Sequence, residues 1–179
     1  MIERGSVILV IGVSGTGKST VGRRLAQQLD VPFLEGDDFH PPANIRKMSQ
    51  GIPLDDADRW PWLDALAAAV TAGRTGSGIV ATCSALKRCY RDRLRASIAP
   101  PLVFACLIAD RATLAARLTS RKDHFMPGSL LDSQLNTFEM PSPDEHARML
   151  AADQPIEALV GALLSAKQDD STTSPRRTT

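Results

Sequence analysis

No stretch of this 179-residue chain holds the roughly 18 consecutive apolar residues that a membrane-spanning helix needs. No transmembrane segment and no membrane partner are therefore expected. Neither sign of charge dominates: 21 Lys and Arg stand against 20 Asp and Glu, a formal net charge of +1. Nothing in that balance suggests a nucleic-acid partner. Cysteine is scarce. Cys83, Cys89 and Cys106 are odd in number and lack metal-ligand spacing. Cys83 and Cys106 stand in apolar, strand-like runs and read as buried thiols, which fits a reducing cytosol. His40 and His124 have no His or Cys partner at zinc-ligand spacing. There is no internal repeat, and because the chain enters its first apolar run within a few residues, no signal peptide is expected.

What the chain does have is Gly12-Val13-Ser14-Gly15-Thr16-Gly17-Lys18-Ser19, the spacing of a phosphate-binding loop. The apolar run Val7-Ile8-Leu9-Val10-Ile11 precedes it and reads as a buried strand. A helical pattern with Val21, Leu25 and Leu29 on one face follows. Glycines let the backbone curl until several N–H groups point into one anion-sized hollow. The helix that starts there presents its positive end. Gly12, Ser14, Gly15, Thr16, Gly17, Lys18, Ser19 and Thr20 are thus expected to hold ATP. Lys18 is to reach the β- and γ-phosphates, and the Ser19 hydroxyl is to ligate Mg²⁺.

Apolar runs at 7–11, 32–35, 78–83, 102–109 and, more weakly, 147–152 alternate with helical patterns at 18–29, 43–50, 59–72, 87–97, 111–121, 129–138 and 156–166. Continuous apolar strands separated by helices imply a parallel sheet covered on both faces, an α/β fold of three layers. Residues 1–166 read as one domain of ordinary size. Residues 167–179 have no large apolar side chain and read as a disordered tail. Two segments interrupt the alternation, at 36–62 and 121–143. Ligands of open α/β sheets bind beyond the carboxyl ends of the strands, so the first segment reads as substrate-binding and the second as a lid.

Phosphoryl transfer needs, beyond the phosphate cradle, a metal, neutralising cations and a group that orients or deprotonates the acceptor. Glu35 and Asp37 emerge from the second strand two residues apart and share a face in an extended segment. One of them suits the metal shell and one the acceptor hydroxyl; Asp37 is favoured as the acceptor base. Arg46, Arg59, Lys87, Arg91, Arg117 and Arg121 supply positive charge. Lys87 and Arg91 are i and i+4, so both are expected to reach one anionic group. Asp110, which follows the fourth strand, reads as a helix cap. His40 and His124 stand in loops containing Pro or Gly and suit hydrogen bonding to substrate.

Several runs resemble the gluconate kinase family. They are Leu34-Glu35-Gly36-Asp37-Asp38-Phe39-His40-Pro41, Asn44, Lys47-Met48, Gly51-Ile52-Pro53-Leu54-Asp55, Asp58-Arg59, Pro61-Trp62-Leu63 and Cys83-Ser84-Ala85-Leu86-Lys87. Tyr90-Arg91-Asp92, Arg117-Leu118, Arg121-Lys122, His124-Phe125 and Asp153-Gln154-Pro155 extend the likeness. The resemblance implies a shikimate-kinase-like sheet of order 2-3-1-4-5 and ATP-dependent phosphorylation of D-gluconate to 6-phosphogluconate. It also implies a homodimer and a cytoplasmic location. By that likeness Asp37 and His40 fall in the gluconate segment, with Arg46, Arg59, Lys87 and Arg91 as further contacts. Arg117 and Pro155 resemble positions flanking adenine, and Arg121 resembles a lid cation. Asp38 and Asp123 depart from the pattern, and Glu35 stands where Asp is also expected. The residues by themselves stop at a small-molecule kinase, with shikimate or a nucleoside monophosphate as rival acceptors. A nucleotide switch is the other alternative, but the Asn-Lys-x-Asp motif of guanine switches is missing.

Overall fold

The computed structural model describes residues 2–120 and 128–165. Five strands, β1 (Val7–Ile11), β2 (Phe33–Leu34), β3 (Ile79–Cys83), β4 (Leu102–Ile108) and β5 (Arg148–Ala151), form one sheet in the order β2-β3-β1-β4-β5. All four pairings are parallel. The helices are α1 (Lys18–Leu29), α2 (Pro42–Ser49), α3 (Asp56–Gly73), α4 (Arg88–Ser97), α5 (Arg111–Ser120), α6 (Gly128–Thr137) and α7 (Ile156–Ser165).

β1 lies at the centre, with Val7 opposite Ile79 on one side and Leu102 on the other. Every residue of β1 is buried, which is why its sequence is continuously apolar instead of alternating. Val7, Leu9 and Ile11 face a core built with Trp62, Leu63 and Leu66 of α3, Tyr90 and Leu94 of α4, and Leu114 and Leu131 of α5 and α6. Ile8 and Val10 face the other core, with Val21 and Leu25 of α1 and Leu159, Val160 and Leu163 of α7. Each fully buried side chain of this size contributes ~1.5–3 kcal/mol. The expected three layers and strand order are present.

Differences from the sequence expectation are local. α3 begins three residues before the expected start at 59, because Asp55 and Asp58 form a capping box; Asp in the third helical position does the work usually given to Glu or Gln. A 3-10 turn over Gly36–Phe39, unforeseen in the sequence, continues directly from the short β2. Asp110 caps α5 as expected: the Thr113 N–H donates to its Oδ1 at 2.7 Å and the Thr113 hydroxyl to its Oδ2 at 3.1 Å. Cys83 and Cys106 are buried and Cys89 is exposed, all as free thiols.

Candidate active site

The phosphate loop joins β1 to α1. Gly12 has φ +135°, and a Cβ there would stand 2.5 Å from the Leu107 carbonyl oxygen, so the loop can pass this close to β4 only as glycine. Thr16 is buried, and its hydroxyl and N–H both turn inward to the Val13 carbonyl, at 2.8 and 3.4 Å. Its side chain braces the loop. Lys18 Nζ lies 3.1 Å from the same carbonyl oxygen. The Ser14 N–H points outward and donates to Gln134 Oε1 on α6 at 2.8 Å. An amide oxygen there satisfies the kind of donor that such a loop offers to phosphate oxygens. Ser19 stands in the first turn of α1.

The segment expected to bind the acceptor starts at the carboxyl end of β2, against β3. The Gly36 N–H donates to Thr82 Oγ1 at 2.9 Å, and the Gly36 carbonyl accepts from Trp62 Nε1 at 2.7 Å. A Cβ on Gly36 would stand only 1.9 Å from the Thr82 carbonyl oxygen. This glycine therefore lets the turn press against β3, and the press fixes where Asp37 emerges, exposed, at the strand end. Glu35 is engaged differently: the Thr82 hydroxyl donates to its carboxylate, and Arg23 lies 3.7 Å away.

His40 stacks on buried Trp62, with ring centroids 4.1 Å apart. Burial pulls its pKa down to about 4, with Asp37 opposing and Arg59 assisting, so the ring is neutral at neutral pH. Arg59 is itself buried, donates Nε and Nη2 to the Leu54 carbonyl at 3.4 and 3.2 Å, and lies over the Tyr90 ring at 5.5 Å. Lys87 Nζ donates to Asp56 Oδ1 at 2.7 Å, and the Tyr90 hydroxyl donates to the same oxygen. Arg46 is exposed on α2.

Cys83 is buried at the end of β3. Burial pushes its thiol up to about 12, and it senses the charges of Asp37, Lys18 and Arg59 together. The phosphate loop and the turn that carries Asp37 both abut the end of β3: the Gly12 N–H donates to the Ser84 carbonyl at 3.3 Å, and the Gly36 N–H to Thr82 Oγ1 at 2.9 Å.

One expected contact is corrected. Arg91 does not share an anion with Lys87. It is fully buried, its Nε and Nη2 pair with Glu145 at 2.6 and 2.9 Å, and its Nη1 donates to the Ala85 and Leu86 carbonyls at 3.1 and 3.2 Å. Helix α4 begins only at Arg88, so Lys87 is its cap, and its ammonium reaches Asp56. The i, i+4 argument fails because Arg91 is turned into the interior, where Glu145 takes its charge.

Arg117, expected to flank the nucleotide, donates Nη2 to the Ala152 carbonyl at 2.7 Å. This brings α5 to the loop that leads through Pro155 into α7. Arg121, His124 and the tail at 167–179 lie outside the described residues. The described part of the expected lid region is anchored to the core. Leu131 is buried, Gln134 holds the phosphate loop, and Glu139 receives the Arg88 N–H at 2.6 Å. Gln134 was not foreseen: 120 residues separate it from Ser14, and no local pattern marks it.

A phosphate loop on a sheet of this order, with an acceptor segment beyond the second strand, defines a phosphate-loop kinase of small molecules. A family model described as an AAA domain matches residues 7–141. The chain is 47% identical over 161 residues to a gluconokinase of Gluconobacter oxydans, covering 88% of each. It is 42% identical over 160 residues to the thermoresistant gluconokinase of Escherichia coli, covering 88% of this chain and 91% of that one. The crystal structure of a gluconokinase from Sinorhizobium meliloti superposes with a TM-score of 0.80 at 46% identity, covering 89% and 90% of the two chains. A shikimate kinase from Aquifex aeolicus, at 18% identity and a TM-score of 0.57, shares the fold. The chain belongs to the gluconokinase family.

Proposed function

We propose that this protein transfers the γ-phosphoryl group of ATP to the 6-hydroxyl of D-gluconate, giving 6-phosphogluconate and ADP. The gluconokinase relatives support the activity, and the placement of the phosphate loop after β1 and of Asp37 after β2, both against the end of β3, supports the roles within it. The phosphate loop holds the β- and γ-phosphates through its backbone N–H groups, and Lys18 leaves the Val13 carbonyl to meet them. Asp37 takes the proton of the attacking hydroxyl as the oxygen bonds to phosphorus and the bond to the ADP oxygen breaks. His40, Arg46, Arg59 and Lys87 bind the remaining hydroxyls and the carboxylate. Arg117 and the loop ending at Pro155 enclose adenine, and Arg121 and His124 close the site from the lid.

Mg²⁺ fits this arrangement. No cluster of three metal-ligating side chains exists among the described residues, but Mg²⁺ keeps several waters and takes phosphate oxygens, so it needs few protein ligands. The Ser19 hydroxyl suits one of them. Bound there, Mg²⁺ would supply positive charge to neutralise the transferring phosphate. A cytoplasmic homodimer belongs to the same reading. No helix among the described residues is long and apolar enough to cross a membrane.

The deciding experiment is coupled ADP release with MgATP and a panel of gluconate, glucose, shikimate and AMP. Turnover with gluconate well above the other three is expected. Faster turnover with any of them would overturn the assignment.

A further inference from the structure

His40 sits in a network more specific than gluconate contact alone requires. Asn44, on α2, is 2% exposed and has committed both hydrogens of its amide nitrogen. One goes to the Asp58 carbonyl oxygen at 2.8 Å, the other to His40 Nδ1 at 3.3 Å. The first bond fixes the orientation of the amide, because the opposite orientation would set two carbonyl oxygens against each other. Nδ1 therefore faces a group that can only donate, so Nδ1 must be the acceptor. A neutral imidazole that accepts at Nδ1 carries its hydrogen on Nε2.

The rest of the surroundings hold this state in place. Trp62 stacks under the ring at 15° and is pinned through its own Nε1 to the Gly36 carbonyl. The Asp58 carboxylate is occupied by Lys47 at 2.6 Å, so Asp58 presents Asn44 with a carbonyl and not a charge. The charged groups that face the ring are Asp37 from the 3-10 turn and Arg59 from α3. They act in opposite directions on its protonation, and burial decides for the neutral form.

We propose that Asn44 is a positioning residue that locks His40 as the neutral Nε2–H tautomer, so that the ring meets the acceptor as an uncharged hydrogen-bond donor. The identity of that acceptor rests on the gluconate reading. The tautomer itself does not. A neutral donor suits a polyol hydroxyl oxygen.

The test is long-range ¹H–¹⁵N NMR of the full chain, which reads imidazole tautomers directly. The chain has three histidines, and His40→Gln assigns the signals. We expect the wild-type His40 to show the Nε2–H pattern and to stay neutral from pH 8 down to pH 5. An Nδ1–H pattern, or protonation near the ordinary value of 6.5, would overturn the proposal, and this measurement needs no variant to fold. In Asn44→Asp the donor becomes a carboxylate, so His40 should protonate at least one pH unit higher than in wild type. The carboxylate also draws the hydrogen of the neutral ring to Nδ1 and leaves Nε2 without one, so KM for gluconate should rise roughly tenfold, the scale of one hydrogen bond, with KM for ATP unchanged. An unshifted His40 titration in folded Asn44→Asp would also defeat it. If the tautomer is as expected but gluconate is no substrate, the functional reading fails and the positioning role of Asn44 stands.

Discussion

Arg91 and Glu145, 54 residues apart in the chain, form a two-pronged ion pair with side-chain exposures of 0% and 1%. The pair ties α4 to the turn that leads into β5, and Arg95 adds a bond from the same helix to the Glu145 carbonyl at 2.8 Å. Glu145 also accepts the Ser142 N–H at 3.0 Å. Every group in this knot has a partner, which is the condition for burying charge at tolerable cost.

Removing one partner leaves the other charged and buried. Arg91→Ala should therefore destabilise the fold by about 3–5 kcal/mol, read as a lowered urea midpoint. In protein that remains folded, KM for gluconate should stay within a factor of about two, because the expected substrate role of this residue passes to its neighbours; a factor of two is well under the ~1.4 kcal/mol that a tenfold change represents. A large rise in KM with normal stability would restore Arg91 to the substrate site.

The same pair sets an acid limit. Hydrogen bonds from Arg91 hold the Glu145 carboxyl well below its ordinary value of 4.5. The unfolded chain thus binds more protons than the folded one in this range, and stability rises with pH across it. The contribution is complete above about 4.5 and is lost as pH falls from there towards the folded value. Urea midpoints at pH 7, 4 and 3 should fall more steeply for wild type than for Glu145→Gln, which has no proton to gain. Parallel slopes would exclude the pair as the cause.

Lys18→Ala should leave the fold intact and remove most turnover, since Lys18 is half-exposed at the phosphate loop and not in either core. Loss of a preorganised charge on the transferring phosphate costs on the order of 3 kcal/mol of transition-state stabilisation. Circular dichroism and kcat on the same sample give the comparison. Near-normal kcat in folded protein would remove Lys18 from the mechanism.

Asp37→Asn keeps shape and removes the base. A fall in kcat of roughly 10²–10⁴-fold is expected, with ATP affinity nearly unchanged by titration calorimetry. If ATP binding is lost instead and turnover survives, Asp37 belongs to the metal shell.

Lys87→Ala should raise KM for gluconate by roughly tenfold or more, the scale of one charge-assisted hydrogen bond of 1.5–3 kcal/mol, and leave KM for ATP alone. Glucose, which has no carboxylate, should be a poor substrate for wild type and no poorer for the variant. An equal loss on both substrates would show that Lys87 acts through Asp56 and Tyr90, its partners in the ligand-free site.

Much of this was legible in the residues. The phosphate loop announces itself because its chemistry needs glycine, lysine and hydroxyl at consecutive positions. The strands announce themselves because a parallel sheet covered on both faces has no polar side. The Gly36–Trp62 region was legible as a substrate segment by its resemblance to gluconate kinases, and the 3-10 turn inside it was not, since that turn depends on Gly36 meeting β3. Asp110 was readable as a cap because capping is local, within three residues.

What the sequence could not say is which partner each charge would choose. Arg91 and Lys87 look equivalent on a helical wheel, yet one is buried against Glu145 and the other reaches Asp56 from outside the helix. Gln134 reaches Ser14 across 120 residues, and Asn44 reaches both His40 and Asp58. Side-chain type and spacing are properties of the chain, so they fix the strands, the helices and the loop that binds phosphate. Pairing over long separations depends on how helices settle against the sheet and which polar groups they trap. That choice is made by packing and by the cost of leaving a buried donor unsatisfied, and only the folded protein makes it.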